Sequence, residues 1–237
     1  MSDEISKDSL PSISDGFFSS VEALLENRKN HLSNMENLYK YLAEVNWSKD
    51  KSHSKIYADF LSQITAVKAA EIKTGNGIIY LKMRFSYAVT LMESCLGEML
   101  KSVTMHHEQF RRNAVINISS IGESQLSTQE LLDKDIQAII DSKVIHHISR
   151  ILYHNMDKVN KVYTQILGNK FPVMDDDLNK KIDELMDLRH DIVHRNGKKI
   201  DGEEIELTPA MVSSCVSNIQ RFVGCVHAYI NESIEKL

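Results

Sequence analysis

Residues that break helices are scarce in this chain: three prolines and nine glycines are spread over 237 residues. A proline ends or kinks a helix and a glycine costs its interior about 1 kcal/mol. Long uninterrupted segments are therefore left free to be helical. Cysteine is equally thin. Cys95, Cys215 and Cys225 are odd in number, lack C-x2-C spacing and sit among apolar neighbours, which argues against a disulfide scaffold or a zinc knuckle and predicts reduced core thiols. No apolar run reaches the eighteen or so residues of a membrane span. The start, Met1-Ser2-Asp3-Glu4, is acidic where a signal peptide is basic and then apolar, so a cytoplasmic protein off the membrane is expected. There is no glycine-rich phosphate loop and no G-x-S-x-G elbow, which leaves nucleotide hydrolysis and serine hydrolysis unsupported. A formal net charge of -5 argues against a surface coated in cations for non-specific nucleic-acid binding. A local basic cleft remains compatible with it. Arg111-Arg112, Arg189, Arg195 and Lys198-Lys199 are available to build one, although each cluster alone reads first as a solvated helix end or loop.

What the chain does contain is apolar periodicity, within an apolar fraction of 42%, the level of ordinary globular proteins. Residues 1 to 15 are polar and read as a loose tail. From about 17 to 45, Val21, Leu24, Leu25, Leu32, Met35, Leu38 and Leu42 keep a helical period, and Trp47-Ser48-Lys49-Asp50 is expected to end that helix. A second helix is expected over about 54 to 73, with Ile56, Phe60, Ile64 and Val67 on one side, before a turn at Gly75-Asn76-Gly77. These two helices make an accessory hairpin over residues 1–75 that either packs on the rest or reaches toward a partner. The main helical domain is expected over 77–237.

A central core helix is predicted over about 78 to 106. Residues 107 to 127 have weaker periodicity, and Ser127-Thr128-Gln129-Glu130 has the spacing of a cap opening a short helical segment. Ile136, Ile139, Ile140, Val144, Ile148, Ile151, Leu152, Val159, Val162 and Ile166 predict one long helix stopped by Gly168. Asp175-Asp176-Asp177 places negative charge where the next helix begins, as its macrodipole favours. The Asp201-Gly202 turn predicts a small β-hairpin or ordered loop near 199–207, and Thr208-Pro209 caps a last helix reaching about residue 234. The expected fold class is all-α, a bundle of about six or seven helices.

Function concentrates in Arg189-His190-Asp191-Ile192-Val193-His194-Arg195-Asn196-Gly197. Leu178, Ile182, Leu185, Ile192 and Val193 make one apolar helix face, and on a 3.6-residue wheel Arg189 falls in its middle. A permanent charge there needs a partner. It is either an ion pair with an acid from a neighbouring helix, Glu93 being a candidate although its place beside the apolar stripe of its helix reads first as a surface position, or part of an anion site. His194, five residues on, can move a proton near neutral pH, and Asn196-Gly197 is a helix stop.

This Arg-x4-His pattern, with the polar His190 straight after the arginine, resembles the motif of the HEPN superfamily. Tyr87-Ala88-Val89-Thr90-Leu91-Met92-Glu93 resembles that family's first core helix, and the likeness covers about residues 77 to 235. The resemblance implies an all-helical, typically homodimeric, metal-independent endoribonuclease needing no cofactor. It further implies a toxin or defence effector, with an antitoxin or regulatory protein as a further partner. His194 would be the acid/base, Arg189 the stabiliser of phosphoryl charge, and His190, Asp191 and Asn196 supporting groups. Arg195, Lys198 and Lys199 would contact the RNA. Residues five apart on a straight helix point about 140° apart, so either the helix unwinds near His194 or the site is shared between two protomers. The alternative from a different class is a HEPN-like interaction or regulatory module without catalysis.

Two other patterns carry less. His190-Asp191-Ile192-Val193-His194 mimics the zinc-binding H-E-x-x-H helix, with Asp in place of the base and no third ligand at a usual spacing. The adjacent pairs His106-His107 and His146-His147 send their side chains to different helix faces and read as surface or core-edge packing.

Overall fold

The computed structural model describes residues 15–70, 77–123, 135–172 and 176–237. The tail ahead of residue 15, the turn at Gly75-Asn76, the cap at Ser127-Thr128-Gln129-Glu130 and Asp175 lie outside the described residues. Within them the regular elements are helices: α1 (Asp15–Asp50), α2 (His53–Ala69), α3 (Gly77–His106), α4 (Glu108–Asn117), α5 (Ser119–Gly122), α6 (Ile136–Ser149), α7 (Met156–Leu167), α8 (Asp176–His194) and α9 (Pro209–Ile234). No helix among them is long and apolar enough to cross a membrane. The chain divides into two units, Met1–Lys40 and Tyr41–Leu237. The first is helical from Asp15 and exposes Leu24, Leu25 and Leu32.

The second unit is built around α3. Phe85, Ala88, Val89, Met92, Leu96, Met99, Leu100 and Val103 of this helix are fully buried, because its apolar residues run around most of its circumference rather than along one stripe. It packs against α2, α4, α6, α8 and α9. α2 adds Ile56, Phe60, Ile64 and Val67 to the same core, so of the two alternatives for this helix the packed one is adopted. Ser52 caps α2 by accepting from Lys55 N at 3.2 Å, and Thr208 caps α9 by accepting from Met211 N at 3.2 Å, each satisfying an amide that the helix itself leaves open.

Three expectations need correction. α1 continues through Trp47-Ser48-Lys49-Asp50 and stops after them. Val45 and Ser48 are buried, and Ser48 Oγ donates to Glu44 O at 2.8 Å, which lets a serine sit inside the helix. The single helix expected from 136 to Gly168 is two, broken between Ser149 and Met156. Asn155 caps the second by accepting from Lys158 N at 3.0 Å. Tyr153 donates to Ile148 O at 3.1 Å and lays its ring on Gly97, where a Cβ would stand 3.0 Å from the ring. The backbone turns to dock this aromatic ring. With α4 and α5 also formed, the described residues contain nine helices rather than six or seven. Around Asp201-Gly202 an ordered loop closes through one bridge, Lys198 with Glu204, and no strand forms among the described residues. The three cysteines are free, Cys95 buried and Cys215 and Cys225 half-buried against the core. Burial pushes the Cys95 thiol up.

Candidate functional site at the end of α8

α8 puts Leu178, Ile182, Leu185 and Ile192 into the core and remains helical through His194. It does not unwind between Arg189 and His194. On a continuous helix five residues rotate the side-chain direction by about 140°, so within one chain these two side chains leave the helix on different sides. The helix ends just beyond. Asn196 takes a left-handed φ of 54°, Gly197 follows at 81°, and the reversal lets Arg195 N at 3.0 Å and Gly197 N at 2.9 Å both donate to Asp191 O. Asparagine is among the few residues other than glycine that tolerate this region. Gly197 N is thus spent on the helix end, while Gly197 O accepts from Ile205 N at 2.9 Å and ties the following loop down.

Arg189 is half-buried, and one guanidinium nitrogen stands 3.8 Å from Glu93 Oε2 of α3. Glu93 Oε1 stands 3.5 Å from His154 Nδ1 and has no hydrogen-bond partner among the described residues. These separations are those of ion pairs and exceed a normal N–H···O hydrogen bond. Glu93 therefore balances the arginine's charge without consuming its donors, and the guanidinium fork stays available to a second anion. The sequence named Glu93 as a candidate partner for Arg189, and they are paired. His154 joins them unforeseen, because it was read as part of an unbroken helix.

His190 and His194 are both exposed, one helical turn apart, with ring centroids 4.8 Å from each other. No group of three or more His, Cys, Asp or Glu that could hold a metal ion occurs among the described residues, so no described side chain makes the pair a zinc set. Asp191 holds Arg195 in an ion pair across one turn, which occupies that guanidinium at the helix end. Lys199 is paired with Glu203 at 2.9 Å, and Lys198 is exposed in the bridge with Glu204. Lys82 of α3 was not singled out beforehand. Its Nζ donates to Asn196 O at 2.6 Å, and its chain lies so close over Gly197 that a Cβ there would stand 2.7 Å from Lys82 Cε. Only the packing of α3 on α8 brings it here, and no local signal marks it. Arg111 and Arg112 do not join this group by their contacts: Arg111 faces buried Asp141 at 3.6 Å and Arg112 pairs with Glu108 at 3.9 Å.

Around this helix end the surface is apolar as well as basic. Ile79, Met83 and Tyr87, spaced by four residues along α3, are exposed, as are Val193 and Ile200 on either side of the turn. Lys82 lies within that stretch of α3 and touches Asn196, which links the two sets. Comparison of the chain with protein-family models, curated proteins and solved structures finds no match.

Proposed function

We propose that the chain is a HEPN-type, metal-independent endoribonuclease whose site is assembled from two copies. The observation that carries this is the state of Arg189: a cation held at ion-pair rather than hydrogen-bond distance, 3.8 Å from Glu93, on a helix that ends in the exposed His194. Because the continuous helix separates Arg189 from His194, one phosphate is reached by Arg189 of one protomer and His194 of the partner subunit. The exposed Ile79, Met83 and Tyr87 supply the apolar surface such a homodimer would cover.

The chemistry is small. The 2′-oxygen attacks phosphorus as its proton passes to the imidazole of His194, the P–O5′ bond breaks, and the protonated imidazole returns that proton to the departing 5′-oxygen. Arg189 faces the negative charge that grows on the phosphoryl oxygens. His190, one turn from His194, positions that ring, while Asp191 and Asn196 shape the helix end. Arg195, Lys198 and Lys199 meet the RNA backbone. The class of role proposed is a toxin or defence effector restrained by a partner protein.

A second reading is favoured by the same ion pair. If Glu93, Arg189 and His154 serve only to join α3, α8 and the α6–α7 connection, the chain is a HEPN-like interaction or regulatory module. The deciding experiment incubates wild type and His194→Ala with total RNA in the presence of chelator. The nuclease reading expects cleavage by wild type with 2′,3′-cyclic phosphate ends and a loss of about a hundredfold or more in the variant. Intact RNA in every sample would leave the module reading standing.

A further inference from the structure

A groove of about 930 Å³ lies between α6 and α7. α6 lines it with Lys143, His146 and His147, and Arg150, the αR residue that caps the helix, continues the same side at i, i+3, i+4 and i+7. α7 answers with Lys158, Lys161 and Gln165 at the same kind of spacing. The adjacent histidines, expected to face different ways, both reach it, although His146 also stacks on Tyr41 at 4.4 Å as a packing residue would. Ser120 Oγ meets His147 Nδ1 at 3.0 Å.

Charge is what distinguishes this groove. Among the described residues four Lys and Arg line it and no Asp or Glu does, in a chain whose acids outnumber its bases, 33 to 28. The repulsion is felt: after burial itself, Arg150 and Lys143 hold the His146 imidazole below its ordinary value. The basic stripe from Lys143 to Arg150 spans about 10 Å at a rise of 1.5 Å per residue, and the Lys158 and Lys161 pair on α7 about 4.5 Å. A single small anion would engage a fraction of the α6 stripe, whereas a chain of phosphates engages that stripe and the α7 lysines together. Ile151, Leu152 and Val162 add apolar wall. The groove also adjoins the candidate site. Leu152 lines it, and His154, two residues on in the turn that Asn155 N closes onto Leu152 O at 2.9 Å, meets Glu93 beside Arg189.

We propose that the α6–α7 groove binds the phosphate backbone of single-stranded RNA and delivers the strand to the Arg189 and His194 site. The identity of the polyanion rests on the nuclease reading; the groove's affinity for it does not.

The test is fluorescence anisotropy with a short fluorescein-labelled single-stranded RNA whose 2′-O-methyl riboses prevent attack by the 2′-oxygen. Lys158→Gln/Lys161→Gln changes two exposed side chains and should weaken binding about tenfold or more. It should also make the plot of log affinity against log salt shallower by about 1.4, the loss of two single-strand phosphate contacts. Lys55→Gln/Lys68→Gln on α2 makes the same change in net charge and should bind as wild type. The inference is overturned if the α7 variant binds RNA as tightly as wild type, if the α2 variant loses as much, or if an equimolar nucleoside triphosphate displaces the strand. The two proposals fail separately. Intact RNA beside groove-dependent binding sinks the nuclease and keeps the groove, whereas cleavage that depends on His194 with binding indifferent to Lys158 and Lys161 does the reverse.

Discussion

Replacing Arg189 with alanine tests whether the ion pair with Glu93 exists for stability or for chemistry. At 3.8 Å and an effective dielectric of about 20, the gross attraction is about 4 kcal/mol. Both side chains keep contact with water, at 23% and 19% exposure, so screening and the cost of desolvating both groups leave a net of about 1 kcal/mol. Arg189→Ala also removes the cation that faces Glu93, whose Oε1 is already unbonded, adding on the order of 1 kcal/mol. The sum, about 1 to 2 kcal/mol, corresponds to a Tm lower by about 2 to 8 °C in a protein of this size. Calorimetry measures that, and the variant should remain folded at room temperature. Cleavage should fall by about a hundredfold or more, about 2.7 kcal/mol on the barrier. Glu93→Gln should cost comparable stability yet keep cleavage, because the cation that faces the phosphate remains. A folded Arg189→Ala that cuts RNA like wild type would refute the role in chemistry. Unfolding at room temperature would refute the energetic reasoning and make the pair structural.

Asp141 should prove the more important ion-pair partner for folding. It is 1% exposed and accepts from Lys49 Nζ at 2.7 Å and Gln137 Nε2 at 2.8 Å, with Arg111 at 3.6 Å, so Asp141→Ala should lose about 3 kcal/mol in urea denaturation; a loss under about 1 kcal/mol would contradict this. Met83→Asp should convert a dimer to a monomer in light scattering and abolish cleavage without unfolding the chain, and a monomeric wild type across micromolar concentrations would count against the composite site. Acid should destabilise the fold. Burial leads the causes that hold His107, His146, His147 and His227 below their ordinary value, so below about pH 6.5 the unfolded chain binds more protons than the folded one. Stability is therefore lost as pH falls from about 6.5 through the lower folded values. A Tm that does not change between about pH 7.5 and about pH 5.5 would remove this linkage.

Periodicity alone was enough to establish that the chain is helical and where several helices lie. The expected core helix over 78 to 106 is α3, Gly77–His106, and the capped last helix begins at Pro209 as Thr208-Pro209 requires. Arg189 was legible as a charge in need of a partner because its place on an apolar face is a property of α8 alone. These features depend on residues within a few turns of one another, and a linear pattern records them.

Contacts between distant segments had to be decided by packing. Tyr153 docking on Gly97 splits α6 from α7 although the apolar residues on both sides suit one helix, and the half-buried Trp47 with the buried Ser48 carries α1 through a stretch that reads as a stop. Lys82 reaches Asn196 only because α3 lies against α8, and His154 reaches Glu93 only because the α6–α7 connection turns. The basic groove has the same origin. Its two stripes are each visible as spacing on a helix, but their facing one another is set by how α6 and α7 settle on α3, α4 and α5. Local pattern determines which face of a helix is apolar or charged, and the burial of apolar surface in three dimensions selects which faces meet.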